Sequence, residues 1–176
     1  MGNRVNFSGK HLDLTNIAAH YTDVEAALRH YFAYPLAHGS RFAGYTTEKV
    51  YEELEQRLEE EDRSCVLSIL AALEAAFRID YLQRVYKRKK DELSKEFRVL
   101  YKAKSTHISF EEILSAWIKH SNAPKRLIGD LRGAFNYRHW LAHGRYWNPK
   151  LGQRYDYDSV YMLAESIFSS FPLIEN

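Results

Sequence analysis

The sequence contains few of the residues that cross-link, break or anchor a chain. Its 176 residues include a single cysteine, Cys65, which excludes an intramolecular disulfide and gives no indication of an oxidising compartment. Only four prolines and eight glycines interrupt it. No long apolar run occurs, since the most apolar stretch, residues 66–77, is too short to span a bilayer and contains Glu74. We therefore expect a cytoplasmic protein with no signal peptide and no membrane contact.

The charges nearly cancel, to a net charge of +2, so composition alone does not indicate a nucleic-acid partner. Their distribution is uneven, with eight acidic residues in 48–62 and nine basic residues in 84–104. A basic run of this kind can attract a phosphate backbone. A solvated helix face is the simpler interpretation, because Asp91, Glu92 and Glu96 lie among the basic residues.

Apolar residues are abundant and recur at helical spacing along almost the whole chain. Hydrophobic residues make up 45% of the sequence, and no stretch shows the period of two that is typical of strands. A chain of this length is sufficient for one well-packed domain and too short for two. The sequence therefore predicts an all-α bundle of five to six helices, forming a single domain over residues 1–176.

Capping and breaking residues set the expected helix bounds. Pro35 and Gly39 predict a connection between the first two helices, and Ser109 with Glu112 forms a capping box. For the third helix two alternatives remain, because it either continues to about residue 100 or breaks near Lys89. The expected helices run from Leu14 to Phe32, from Thr46 or Thr47 onward, from Ser64 onward, from Ser109 to Asn122, from Pro124 to Gly144, and from Asp158 to Phe171.

Two stretches of the sequence share the tetrapeptide Leu-Ala-His-Gly. They are YFAYPLAHGSRF, which contains His38, and YRHWLAHGRYW, which contains His143. In the second stretch Arg138 precedes the histidine by five residues on one predicted helix, whereas the first stretch has Ala33 at that position and is interrupted by Pro35. Four shared residues do not establish an internal repeat. We therefore interpret His38 as a loop histidine without a catalytic role.

The pairing of Arg138 with His143 suits phosphate chemistry. Both residues lie in the last turn and a half of the predicted helix. A planar guanidinium carries a permanent charge and matches phosphate oxygens, while an imidazole can transfer protons near neutral pH. The pair is therefore the candidate catalytic centre of the chain.

The segment NYRHWLAHGRYW resembles the signature of the HEPN superfamily (higher eukaryotes and prokaryotes nucleotide-binding). The motif of that all-α family is Arg, often a polar residue, and then His after a few residues; here these are Arg138, His139 and His143. The similarity is best over residues 124–172, which look like a bacterial ribonuclease and toxin-like branch. Residues 70–84 resemble an earlier core helix of the family more loosely.

The resemblance implies a bundle of HEPN type with its core in residues 64–172 and the helices of residues 12–62 packed on it. It implies a homodimer whose two motif helices form one composite cleft. Many members are metal-independent ribonucleases, so RNA is the implied substrate and no metal or cofactor is expected. The 2′-hydroxyl of the RNA would attack the adjacent phosphate, with His143 as general base or acid and Arg138 stabilising the phosphorane. The products would carry 2′,3′-cyclic phosphate and 5′-hydroxyl ends.

Further residues are candidates for binding RNA under the same resemblance. His139 could instead make a structural hydrogen bond, and Tyr146 could simply pack. Glu74 and Arg78 could instead form a plain intrahelical ion pair. The branch that the chain resembles also implies a toxin or phage-defence effector, with an antitoxin protein as a possible partner. The candidates are Asn136, His139, Arg145, Tyr146, Glu74 and Arg78.

Three competing interpretations concern the same helix end. His139 and His143 have the spacing of a helical zinc pair, but Trp140 stands where a zincin has glutamate and no third ligand follows. A non-catalytic module of the same fold would use the residues to bind a nucleotide or partner. In a purely structural role, Arg138 would donate to carbonyls near the helix end and His143 would cap it. Exposure discriminates, because catalysis requires Arg138 and His143 to open onto a cleft, whereas a structural pair would be enclosed within one protomer.

Overall fold

The computed structural model describes residues 4–33 and 41–174. That part of the chain forms six α-helices, one short 3₁₀ helix and no strand, so the prediction of an all-α fold with up to six helices in one domain is confirmed. Within it, no helix combines the length and the apolarity that crossing a membrane requires. The helices are α1 (Leu14–Ala33), α2 (Thr47–Tyr86), α3 (Glu92–Lys104), α4 (Phe110–His120), α5 (Lys125–Ala142) and α6 (Tyr157–Ser170), with the 3₁₀ helix at Ser105–His107.

Helix α2 is 40 residues long and packs against each of the other five helices. Thr46 caps it as predicted, and its hydroxyl accepts the N–H of Lys49 (3.2 Å). The prediction that a new helix starts at Ser64 is wrong. The Ser64 hydroxyl donates instead to the carbonyl of Glu60 (3.0 Å) inside the continuous helix. The change from acidic to apolar residues at this point marks where α2 enters the core, and no proline or glycine breaks the helix there.

The basic segment after α2 contains a break, which decides between the two alternatives for residues 64–104. Helix α2 ends at Tyr86, and the backbone N–H of Lys87 donates to the carbonyl of Gln83 (2.9 Å). Asp91 then caps α3 by accepting the N–H of Ser94 (3.0 Å). The polypeptide therefore reverses direction between the end of α2 and the start of α3, and α3 packs against α2.

Most other predicted bounds agree with the structure to within about two residues. The capping box of Ser109 and Glu112 is present in full. Pro124 stands just before the first residue of α5 and not inside the helix. Asp156 caps α6, so that helix begins at Tyr157. The predicted connection at Pro35 and Gly39 and the loop histidine His38 lie outside the described residues.

The buried apolar side chains of the described residues form two clusters. The larger one fills the space between α2 and the helices around it, where the ring of Phe77 packs edge-on against three aromatic rings. The smaller one, made of Phe32, Phe42 and Val50, joins the C-terminal end of α1 to the N-terminal end of α2. Helix α5 packs against the middle of the bundle through α2 and α6, so its C-terminal end is held beside α2.

Candidate active site

The candidate residues lie at the C-terminal end of α5, which ends in a hydrogen-bonded glycine turn. His143 follows the last helical residue, and Gly144 has a φ of +79°. The N–H of Gly144 donates to the carbonyl of Leu141 (3.3 Å), and the N–H of Arg145 donates to the carbonyl of Trp140 (3.1 Å). This pair of bonds is the Schellman arrangement. The predicted stop at Gly144 is confirmed, and the turn fixes the position of His143.

Replacing Gly144 with alanine is expected to lower the free energy of unfolding by about 1 kcal/mol, because an L-residue resists a positive φ. An added Cβ would meet no atom within 4 Å, so the cost is backbone strain and not a clash. Gly129 is the matched control, since it lies exposed inside α5 with equally open space. There alanine should stabilise the protein by up to about 1 kcal/mol. Urea unfolding of both variants checks the sign; equal effects would contradict the assigned turn.

The aromatic segment after α5 folds back onto that helix. The indole N–H of Trp140 donates to the carbonyl of Trp147 (2.6 Å). The ring of Tyr137 stacks on those of Trp140 and Tyr155, at centroid distances of 5.6 and 5.7 Å, and burial raises the pKa of both tyrosines. A side chain at Gly133 would collide with the hydroxyl of Tyr155, so glycine permits this close approach. The loop therefore forms a fixed wall beside the helix end.

His139 and His143 lie side by side on the exposed surface of this helix end. Their ring centroids are 4.2 Å apart, and the ring of Trp147 lies 5.9 Å from that of His139. Residues four apart share one face of a helix, which explains the contact. Neither imidazole makes a hydrogen bond with any residue in the described ranges, so both are available to a ligand.

Arg138 faces α2 and pairs there with Glu74. Its guanidinium nitrogen lies 3.4 Å from a Glu74 carboxylate oxygen, and its guanidinium carbon lies 5.5 Å from the centre of the Phe135 ring. The same carboxylate accepts the Nε–H of Arg78 (2.8 Å), and Arg78 also donates to the carbonyl of Ile108 (3.2 Å). The Glu74 carboxylate therefore pairs with two guanidinium groups, and of these Arg78 donates a hydrogen bond to it.

The Arg138 side chain keeps its hydrogen-bond donors unused. Its separation from Glu74 meets the distance of an ion pair, but no hydrogen bond from Arg138 occurs within residues 4–33 and 41–174. The side chain is 37% exposed. A guanidinium that is held by charge alone, and that donates no hydrogen bond, can bind a phosphate without first breaking a hydrogen bond.

Arg138 and His143 form no hydrogen bond with each other. Residues five apart on a helix are rotated by about 140° around its axis, so their side chains leave the helix in different directions. The described structure thus contains two groups at one helix end. The first is Arg138 with Glu74 and Arg78, and the second is His139 with His143.

The remaining candidates point elsewhere. Arg145 donates to a carboxylate oxygen of Glu60 on α2 (2.7 Å), and this guanidinium lowers the pKa of the Glu60 carboxyl. Tyr146 is 82% exposed, and its ring meets the neighbouring ring of Trp147 edge-on, at 4.6 Å between centroids. Asn136 is exposed and makes no hydrogen bond within the described ranges. These residues border the helix end without joining either group.

Two neighbours of the candidate residues were not predicted. Phe135 supports the Arg138 guanidinium and precedes it by three residues, so helical spacing offered a signal for this contact. Trp147 lies against His139 because of the turn at Gly144, which no spacing rule would place. Both residues shape the surface that a ligand would meet.

The competing interpretations can be compared with this geometry. Arg138 donates to no carbonyl in the described residues, and the hydrogen bonds that close α5 come from backbone groups and not from the His143 ring. The two side chains are not enclosed, as a purely structural pair would be. The described part of the chain contains no cluster of three or more potential metal ligands, at His139 and His143 or elsewhere. Comparisons of the chain with protein-family models, with curated proteins and with solved structures returned no match.

Proposed function

We propose that this protein is a metal-independent endoribonuclease of HEPN type that cleaves single-stranded or looped RNA. The observation that supports the proposal best is the partly exposed guanidinium of Arg138, which pairs with Glu74 without donating a hydrogen bond, at the same helix end as an exposed histidine pair. Phosphate recognition needs a free planar donor, and proton transfer needs an imidazole that the substrate can reach. The end of α5 offers both without a covering element.

The proposed reaction is a transesterification that uses a nucleophile from the RNA itself. The 2′-oxygen forms a bond to the adjacent phosphorus while the bond from phosphorus to the 5′-oxygen breaks. His143 acts as general base or acid, taking the proton of the 2′-hydroxyl or returning one to the leaving 5′-oxygen. Arg138 stabilises the additional negative charge of the phosphorane. DNA lacks the 2′-hydroxyl and should resist cleavage.

We further propose that two copies of the chain pair around a two-fold axis at the ends of their α5 helices. Within one copy, Arg138 and His143 leave the helix in different directions, so a symmetric pair would let one phosphate contact groups from both copies. The face of His139 and His143 is uncovered in the single chain. A role as a toxin or phage-defence effector, held in check by an antitoxin protein, follows from the resemblance and belongs to the same proposal.

Treatment with a chelator is expected to leave cleavage unchanged within about twofold, because the proposed reaction uses only side chains and the RNA hydroxyl. The measurement is the rate of cutting of a labelled RNA before and after dialysis against EDTA. An inactive dialysed protein whose activity returns on addition of zinc would overturn the metal-independent mechanism and would favour the histidine pair as a zinc ligand set.

A further inference from the structure

A pocket of about 700 Å³ lies between the end of α2 and α3, within the basic segment of residues 84–104. Residues of the N-terminal segment, of the end of α2 and of α3 line it. It is separate from the α5 site, since Tyr86 lies about 18 Å along α2 from Glu74. No acidic side chain of the described residues lines it. Its lining includes the basic residues Arg4, Arg88, Arg98 and Lys102 and the tyrosines Tyr86 and Tyr101.

The positive charges of this pocket are not neutralised. None of its four basic side chains forms an ion pair within residues 4–33 and 41–174. By contrast, Lys95 and Lys104 of α3 each pair with a glutamate. Arg98 donates to the carbonyl of Lys89 (2.5 Å), which ties the loop between α2 and α3 to the pocket wall. Four uncompensated cations around one concavity produce a strong attraction for phosphate.

Arg88 has a backbone conformation that favours glycine. Its N–H donates to the carbonyl of Val85 (3.2 Å), the N–H of Lys89 donates to the carbonyl of Arg84 (3.3 Å), and its φ is +48°. This is the same helix-closing turn that ends α5, where Gly144 occupies the equivalent position. Arginine is strained in this conformation and glycine is not. Arg88 is one of three residues other than glycine with a positive φ in the described ranges, with Ser105 and Arg145. A strained residue can be retained where its side chain has a function.

Aromatic rings complete the pocket. The half-buried rings of Tyr86 and Tyr101 meet edge to face, with centroids 6.0 Å apart. The guanidinium of Arg4 lies 5.2 Å from the centre of the Tyr86 ring, and the N–H of Val5 donates to the Tyr86 hydroxyl (3.0 Å). Planar tyrosine and arginine groups provide surfaces on which a nucleobase can stack.

We infer that this basic pocket is a second binding site for single-stranded RNA, which holds phosphates with Arg88 and Lys102 and stacks a base against Tyr86 or Tyr101. The inference rests on the proposed function only in naming RNA as the ligand. Basic side chains interleaved with aromatic rings match a nucleic-acid single strand better than an acidic peptide, which offers no base to stack. The pocket would anchor a substrate strand at a distance from the α5 site.

The test measures binding of a fluorescently labelled, single-stranded 2′-O-methyl RNA of about 12 nucleotides, which cannot undergo the proposed cleavage. The double variant Arg88→Gly with Lys102→Ala should raise Kd at least about tenfold and reduce the slope of log Kd against log salt by about 1.4. The matched control is Lys49→Ala, which removes one charge at the far end of α2, roughly 55 Å away, and should bind nearly as the wild type does. Arg88→Gly alone should raise the thermal midpoint by about 2 °C, because it removes the strain.

Several outcomes would overturn the inference. They are an unmeasurable affinity of the wild type for the RNA, an unchanged affinity of the double variant, and an equal loss in the Lys49→Ala control. Loss of binding to phosphatidylserine vesicles with intact RNA binding would assign the pocket to a membrane surface instead. Salt-sensitive self-association that the double variant alone abolishes, again with intact RNA binding, would assign it to the acidic part of α2 in a second copy. Because the probe is not cleavable, failure here is distinguishable from failure of the nuclease proposal.

Discussion

Replacing His143 with alanine is expected to lower the rate of RNA cleavage at least about 100-fold, because the variant loses the group that moves a proton at the reacting phosphate. His143 stands after the last residue of α5, where its ring is exposed and lies against that of His139. The variant should therefore keep the fold and the thermal midpoint of the wild type. The measurement is the single-turnover rate on a labelled RNA, with circular dichroism as the check on folding.

Two variants make this result interpretable. Arg138→Ala should lose about 10²–10³-fold in rate, since it removes the donor aimed at the phosphorane. His120→Ala is the matched control. His120 ends α4 near the N-terminal end of α5, and the candidate site lies at the C-terminal end of α5, about 27 Å away. It should cleave like the wild type. A fully active His143→Ala preparation, purified free of contaminating nuclease, would eliminate His143 as a catalytic residue.

Replacing Arg84 is expected to have a large effect on stability. Arg84 belongs to a buried ion pair and is not part of the candidate site. The guanidinium donates to both carboxylate oxygens of Asp80 (2.8 and 2.9 Å) and to the carbonyl of Pro172 (2.8 Å). Asp80 is fully buried and also accepts the N–H of Ile174 (2.9 Å). Arg84→Met would leave that carboxylate without its cation and release the segment after α6. We expect a loss of about 3–5 kcal/mol in the free energy of unfolding.

Arg29→Met is the matched control for this prediction. Arg29 also pairs with an acidic residue four positions earlier, Glu25, but on the exposed face of α1 (2.7 Å). Its replacement should leave the free energy of unfolding nearly unchanged, because solvent screens this exposed pair. Urea unfolding of the two variants gives the comparison. A cost within about 1 kcal/mol for Arg84→Met would show that the buried pair contributes little to stability.

The buried pair also predicts a pH dependence. Burial raises the pKa of the Asp80 carboxyl from its ordinary value of 3.8 to about 6, against the opposing effect of Arg84. The folded protein therefore binds this proton more tightly than the unfolded chain, and lowering the pH from 7 towards 4 favours the folded state at this residue. Without Arg84 the folded pKa rises further. The deficit of Arg84→Met should thus be smaller at pH 5 than at pH 8.

The sequence predicted the helical fold well because helix signals are local. Capping residues such as Thr46 and Ser109 and the glycine at 144 act within one turn, so each could be identified without knowledge of the partner helices. The false boundary at Ser64 had a different origin. A serine beside a change in composition resembles a cap, but its hydroxyl can bond back to the preceding turn when the helix continues. Only the packing of α1 along the first half of α2 decides between the two.

The candidate site was predictable only in part. Local spacing placed His139 beside His143, and it offered Glu74 with Arg78 as an ion pair, which the structure contains. The approach of Arg138 to Glu74 joins residues 64 positions apart and depends on how α5 packs on α2, which local patterns do not specify. The basic segment is a similar case. Three of its nine basic residues, Arg88, Arg98 and Lys102, line one pocket because the chain turns back after α2, which local patterns do not specify either.

The most direct test of the account is the chemistry of the ends that the purified protein leaves on a labelled RNA. Wild-type protein should produce 2′,3′-cyclic phosphate and 5′-hydroxyl ends, a DNA strand of the same sequence should stay intact, and Arg138→Ala should leave both uncut. Cleavage that yields 5′-phosphate ends, or equal cutting of RNA and DNA, would contradict attack by the 2′-hydroxyl at this helix end.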